Sequence, residues 1–174
     1  MDKRTQILDA AERRARKGGY NGFSFRDIAE DVGIKSASVH YHFPTKDDLA
    51  NAIVERYTER TIKALGKPEG LAPQEAFDKV AALFITSDER DDLMCLCGVL
   101  GAEAGMLAPP LVDGVSTYFD TLTDWLSKAL EGPDAAQRAR QIVAALEGGL
   151  IVSRVKNQPA GFRALVADLR AAFG

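Results

Sequence analysis

Both histidines of this chain, His40 and His42, stand two positions apart with Tyr41 between them. Lys35 and Lys46 flank the group, and no acidic residue occurs from Val32 to Lys46. Imidazole, phenol, hydroxyl and ammonium groups gathered without a counter-charge suit contact with an anion, such as the phosphates and base edges of a nucleic acid. The same composition also fits a solvated loop carrying two lysines, so the surrounding elements must decide. A metal pair is a poor fit: residues i and i+2 of a helix point about 200° apart, and no carboxylate or cysteine set accompanies the histidines. No metal and no cofactor is expected.

The charge distribution agrees with a local rather than a general anion-binding role. The 174-residue chain carries a net −3. Residues 1–63 hold 12 Lys+Arg against 10 Asp+Glu, whereas residues 64–174 hold 10 against 15. An acidic chain is not an indiscriminate polyanion binder, but one basic stretch can still face phosphate.

A chain of this length buries roughly 70% of its unfolded surface and needs no disulfide or metal to fold. Its 46% hydrophobic and 27% charged composition excludes a disordered chain. No apolar run approaches the roughly 18 residues of a membrane span. The N-terminal segment lacks the apolar core of a signal peptide. The cytoplasm is the expected compartment, and the two closely spaced cysteines, Cys95 and Cys97, fit a reducing one.

The elements that must position the basic stretch read as helices, with Gly and Pro at the stops. A first helix spans about 3–17, with Ile7, Leu8, Ala11 and Ala15 on one face and Gly18-Gly19 as its end. Ser24 and Asp27 form a capping box for a short helix, about 25–32, that Gly33 terminates. Ser36 is expected to cap a third helix, about 37–43. Thr45 and Asp48 form a second capping box for a fourth, about 46–65. Five more helices are expected at about 73–86, 93–105, 111–131 (ended by Gly132-Pro133), 135–156 (capped by Asp134) and 160–173. The expected fold is therefore all-α, with nine helices.

Ser24–Val32, Gly33-Ile34-Lys35 and Ser36–Phe43 have the proportions of a helix-turn-helix, a unit that lays its second helix in the DNA major groove. Lys35, Ser36, Ala37, Ser38, His40, Tyr41 and His42 would then present their side chains to DNA. Val39 and Phe43, four apart, would hold the helix to its scaffold. A lysine in the first turn of a helix opposes the dipole. Lys46 is therefore expected to have another partner, and with that helix N-terminus it would make a phosphate clamp.

Three motifs in order carry a resemblance: Gly19-Tyr20-Asn21-Gly22-Phe23-Ser24, Ile28-Ala29-Glu30-Asp31-Val32-Gly33-Ile34, and Ser38-Val39-His40-Tyr41-His42-Phe43-Pro44-Thr45-Lys46-Asp47-Asp48-Leu49. Together they resemble the N-terminal region of the tetracycline-repressor (TetR) family over about residues 3–60. The resemblance implies that Lys35–Ser38, His40, Tyr41 and His42 contact DNA. It also implies that Lys46 binds phosphate, and that Arg26 occupies a position some members use for DNA. His40 departs from the family pattern, where Tyr is commoner, which implies a pH-sensitive or shorter contact. The implied organisation is a DNA-binding domain at 1–46 and a helical effector-binding and dimerisation domain at 47–174. Beyond residue 65 the resemblance is one of architecture only.

In the second half, the apolar residues Met94, Leu96, Cys97, Leu100, Met106, Phe119, Leu122 and Trp125 either line an effector cavity or form plain core. Cys95 and Cys97 suit buried inert thiols, although a Cys beside a Leu-rich helix resembles a subgroup of the family that senses electrophiles. Ala145, Gly148 and Gly149 give the eighth helix a small-residue face. With Phe162, Leu165, Val166 and Leu169 of the last helix, they read as a C2 dimer interface or as ordinary intrachain packing. The function these features imply is a repressor, not an enzyme. As a homodimer it would bind a palindromic double-stranded operator, and a small apolar or electrophilic effector would release it. A ligand-independent architectural DNA binder is one rival. A small helical enzyme is another, but no G-x-S-x-G, H-E-x-x-H or P-loop pattern supports it.

Overall fold

A computed structural model describes residues 2–89 and 93–173. The described residues form nine α-helices and no strand: α1 (Lys3–Gly18), α2 (Phe25–Val32), α3 (Ser36–His42), α4 (Lys46–Leu65), α5 (Pro73–Glu89), α6 (Leu96–Ala102), α7 (Pro109–Ala129), α8 (Ala135–Lys156) and α9 (Pro159–Phe173). Short 3₁₀ turns occupy Tyr20–Gly22 and Ala104–Met106. The all-α expectation holds, and most helix ends fall within three residues of those read from the sequence.

Three local expectations are corrected. Lys35, not Ser36, is the N-cap of α3; its backbone is extended and α3 starts without a side-chain cap. Asp134 stands at the N-cap of α8, but its side chain makes no cap bond and instead pairs with Arg138 at 3.4 Å. The sixth helix is short. Leu93–Cys95 precede it as irregular chain, and Ala104–Met106 tighten into the 3₁₀ turn. Gly98, Gly101 and Gly105 explain why a long helix does not persist there, each lowering helix propensity by about 1 kcal/mol relative to Ala. α5 runs on through Ser87–Glu89, three residues past its expected end at about 86, and residues 90–92 lie outside the described residues.

By packing, the chain divides into two compact units, Met1–Glu59 with Leu96–Tyr118, and Arg60–Cys95 with Phe119–Gly174. In the first, Ile7, Ala11 and Ala15 of α1, Ile28 of α2, Val39 of α3 and Leu49 and Ile53 of α4 are fully buried, and α6 packs on α1. Two ionic ties hold these helices in register. Arg14 grips Asp31 of α2 through two bonds of 2.6 and 2.8 Å, and Arg56 of α4 reaches Asp9 and Glu12 of α1 at 2.8 and 3.0 Å. In the second unit, Phe77, Val80 and Phe84 of α5 join Leu122 and Leu126 of α7, Ile142, Leu146 and Leu150 of α8 and Phe162 of α9 in a core. There the Trp125 indole N–H donates to the Gly66 carbonyl at 2.7 Å.

Candidate nucleic-acid interface

The geometry of α2 and α3 follows from a few local bonds. Ser24 and Asp27 form the expected capping box: the Asp27 carboxylate accepts from the Ser24 N–H at 2.8 Å, and the Asp27 N–H donates to the Ser24 hydroxyl at 3.2 Å. Gly33 ends α2 in the left-handed region at φ 68°, where a β-carbon would be strained. The Ile34 N–H then bonds back to Ala29 at 2.9 Å. The chain is thereby turned within three residues into α3.

Val39 and Phe43 are buried, so α3 has one anchored face. The opposite face carries Tyr41, which is 85% exposed. A tyrosine that exposed contributes nothing to the core. Lys35, Ala37, Ser38 and His40 are also exposed, Ser36 and His42 are half-buried, and Arg26 is exposed on α2. Two rings are less free than the sequence suggests: His40 lies edge-on to Phe25 with centroids 4.5 Å apart, and His42 is edge-on to Tyr41 at 5.3 Å.

Lys46 opens α4 after the second expected capping box, in which the Thr45 N–H donates to Asp48 at 2.9 Å and the Asp48 N–H to Thr45 at 3.1 Å. Its ammonium lies 4.2 Å from the centroid of Tyr20 and 4.9 Å from that of Phe23, a cation–π cradle. Burial there pulls its pKa below the usual lysine value, while Asp47, Glu103 and Asp27 act in the opposite direction. The Tyr20 hydroxyl donates to Asp47 at 2.5 Å, and burial, reinforced by that bond, pushes the phenol up to about 12. The Tyr20 N–H donates to Glu103 at 2.7 Å. Gly19 turns the chain there at φ 69°, where a β-carbon would collide with the Glu103 carboxylate. Tyr20, Phe23, Asp47 and Glu103 are thus the supports that the sequence reading missed. Glu103 stands 83 positions from Tyr20, beyond any local signal. Arg4, at the start of α1, adds another cation, 5.1 Å over the ring of Phe43.

Residues 7–53, which include α2, α3 and Lys46, match the family model described as bacterial regulatory proteins, tetR family. The chain superposes over its full length on a TetR transcriptional regulator from Legionella pneumophila, with TM-score 0.92, 27% identity and 98% of that chain covered. Residues 7–53 carry a tetR-family helix-turn-helix region. It is 32% identical over 94 residues to the HTH-type transcriptional repressor KstR of Rhodococcus jostii, a match over 53% of this chain. The matched stretch spans only 44% of that repressor's length. A longer match, 29% identical over 83% of this chain and 75% of the relative, is to the HTH-type nicotine-responsive transcriptional repressor HdnoR of Paenarthrobacter nicotinovorans.

The residues expected to form an effector cavity are not gathered in one unit. Leu96, Cys97, Leu100 and Met106 lie in the first, and Met94, Phe119, Leu122 and Trp125 in the second. Leu96, Cys97, Leu100 and Leu122 are core, and Met106, on the 3₁₀ turn, is 75% exposed. The second unit does hold an open groove of about 510 Å³ between α7 and α8; of the eight residues, Phe119 lines it.

The expected interface residues also divide. A β-carbon at Gly149 would collide with Leu165 and lie 3.2 Å from the ring of Phe162, so this glycine admits the chain's own α9. Phe162 is buried in the same contact. A β-carbon at Gly148 would meet nothing within 4 Å. Ala145, Leu165, Val166 and Leu169 are half-buried. Ile151, Val152 and Val155 of α8, unremarked in the sequence, are exposed apolar side chains, Val155 by 81%.

Proposed function

We propose that this chain is a DNA-binding transcriptional repressor that occupies a palindromic operator as a homodimer and is released by a small molecule. The observation that carries the reading is the pairing on α3 of a buried face, Val39 and Phe43, with an exposed Tyr41. α3 and the Lys46 cradle would read bases and grip phosphate, respectively. Arg26, Lys35, Ser36, Ala37, Ser38, His40 and His42 complete the proposed contact surface. In this scheme residues 1–46 do the DNA reading and residues 47–174 the effector binding and pairing.

Two copies would place two copies of α3 about one helical turn apart, on successive major grooves. Exposed Ile151, Val152 and Val155 beside Gly148 support pairing through α8, with Val166 and Leu169 contributing from α9. An effector would act by binding one arrangement of the dimer better than the other. The role is regulatory rather than catalytic, and its setting is the cytoplasm. No described helix is long and apolar enough to cross a membrane.

The test is selection of duplexes from a random library by the full chain, followed by fluorescence anisotropy on the winner. The expected outcome is an inverted-repeat site bound by two chains, with affinity falling steeply as salt rises. Sequence-indifferent binding, or a site without twofold symmetry, would overturn the reading.

A further inference from the structure

Glu103 stands at the corner between α6 and the 3₁₀ turn at Ala104–Met106. Its backbone is fixed on both sides: its N–H donates to the Leu100 carbonyl at 3.0 Å, and its carbonyl accepts from the Met106 N–H at 2.8 Å. Leu100 is itself buried. The side chain is thus presented from a firm base.

Its carboxylate meets the chain where α1 ends. It accepts from the Tyr20 N–H at 2.7 Å, a bond across 83 positions of sequence. It lies so close to Gly19, the C-cap of α1, that a β-carbon there would collide with it. A carboxylate against the C-terminal end of a helix opposes the helix dipole. What favours Glu103 there is therefore the bond to Tyr20. The ring of that tyrosine lies 4.2 Å from the Lys46 ammonium, and its hydroxyl donates to Asp47 at 2.5 Å. Asp47 holds the ring end of Tyr20, and Glu103 holds its backbone.

The carboxylate also acts on Lys46 through space. Burial lowers the lysine's pKa, and Asp47 and then Glu103 oppose that shift. Its two properties work in opposite directions. A negative charge near Lys46 repels an incoming phosphate, whereas an acceptor of the right reach keeps the ring in place.

We infer that Glu103 is a positioning residue of the DNA contact: by accepting from the Tyr20 N–H it fixes the ring against which Lys46 rests, and so sets operator affinity from outside the helix-turn-helix. The inference rests on the DNA-binding reading above for that consequence, while the tie between Glu103 and the Tyr20 loop stands without it.

The experiment is fluorescence anisotropy of the full chain on its selected operator, with Glu103→Gln and Glu103→Asp as opposed variants. Glutamine keeps the length and an acceptor oxygen but no charge; aspartate keeps the charge but is one methylene shorter, so its oxygen falls short of the Tyr20 N–H. Glu103→Gln is expected to bind at least as tightly as wild type, and Glu103→Asp about tenfold more weakly. At low salt, in a Lys46→Ala background, the aspartate effect is expected to vanish, because no lysine is left to position; a general loss of structure would persist there. Hydrogen exchange at the Tyr20 amide reads the tie without DNA, with protection kept in Glu103→Gln and lost in Glu103→Asp. Equal affinities of the two variants, the reverse order, or an aspartate effect undiminished beside Lys46→Ala would overturn the inference. A wild-type chain that binds no operator would instead sink the regulator reading, while Tyr20 protection lost only in Glu103→Asp would still uphold Glu103 as the support of this loop.

Discussion

The ammonium of Lys46 lies 4.2 Å from the ring centroid of Tyr20, and the hydroxyl of that same tyrosine donates to Asp47, the next residue along α4. The lysine therefore rests against a ring that is itself tied to α4, rather than extending on a free stem. Fixing a long side chain before it meets phosphate removes an entropy cost of up to about 2 kcal/mol that a free lysine incurs on binding.

Lys46→Ala is expected to weaken operator binding and to lower the slope of log affinity against log salt by about 0.9 per subunit, the value of one phosphate contact. Tyr20→Leu keeps the charge but removes the cradle. It should weaken binding less and leave the slope unchanged. Anisotropy across a salt series measures both, and an unchanged slope in Lys46→Ala would remove this residue from the phosphate contacts.

Tyr41→Ala and Val39→Ala, two positions apart on α3, should separate reading from folding. Tyr41 is exposed and Val39 is fully buried. The first substitution should leave the melting temperature nearly unchanged, within about 0.5 kcal/mol of stability, yet abolish or strongly weaken operator binding. The second should cost about 2 kcal/mol of stability through the cavity it leaves. Thermal melts beside anisotropy decide the matter; a Tyr41→Ala protein with wild-type affinity would contradict the proposed reader face.

Gly149→Arg and Val155→Asp should fail differently. An arginine at 149 meets Leu165 and Phe162 of the same chain, so it should lower the melting temperature. Aspartate at the exposed Val155 should leave the fold intact and yield monomers by sedimentation. Dimers persisting in Val155→Asp would place the pairing surface elsewhere.

Stability should also report on Glu147, whose carboxyl is pushed by burial to about 7 from an ordinary value of 4.5. Below about 4.5 both folded and unfolded chains hold the proton, and the group is neutral in its effect. Between about 4.5 and about 7 the unfolded chain loses the proton first, so stability falls as pH rises. Above about 7 both states are ionised and the full penalty, about 3 kcal/mol, persists. Glu147→Gln should therefore be more stable than wild type at pH 8 and nearly equal to it at pH 4. Urea titrations of the two proteins giving parallel pH profiles would show that this carboxylate is not desolvated.

The helices, their stops and the helix-turn-helix were legible in the sequence because each is decided within a few residues. Ser24 meets Asp27 three positions on, Thr45 meets Asp48, and Gly33 takes up a conformation its neighbours avoid. The exposure of Tyr41 followed from the same periodicity, since Val39 and Phe43 already fill the inward face. What only the tertiary structure decided depends on residues far apart in the chain. The sequence left Lys46 needing a partner; folding put Tyr20 and Phe23 beneath it and Glu103 behind the turn that carries them. The small residues of α8 signalled a close approach, but not that α9 of the same chain makes it at Gly149 while Gly148 faces open space. Glu147 reads as one more surface acid on a helix. Its desolvation arises only when α8 packs against its neighbours, because the cost of burying a charge is set by everything around it and not by its place in the sequence.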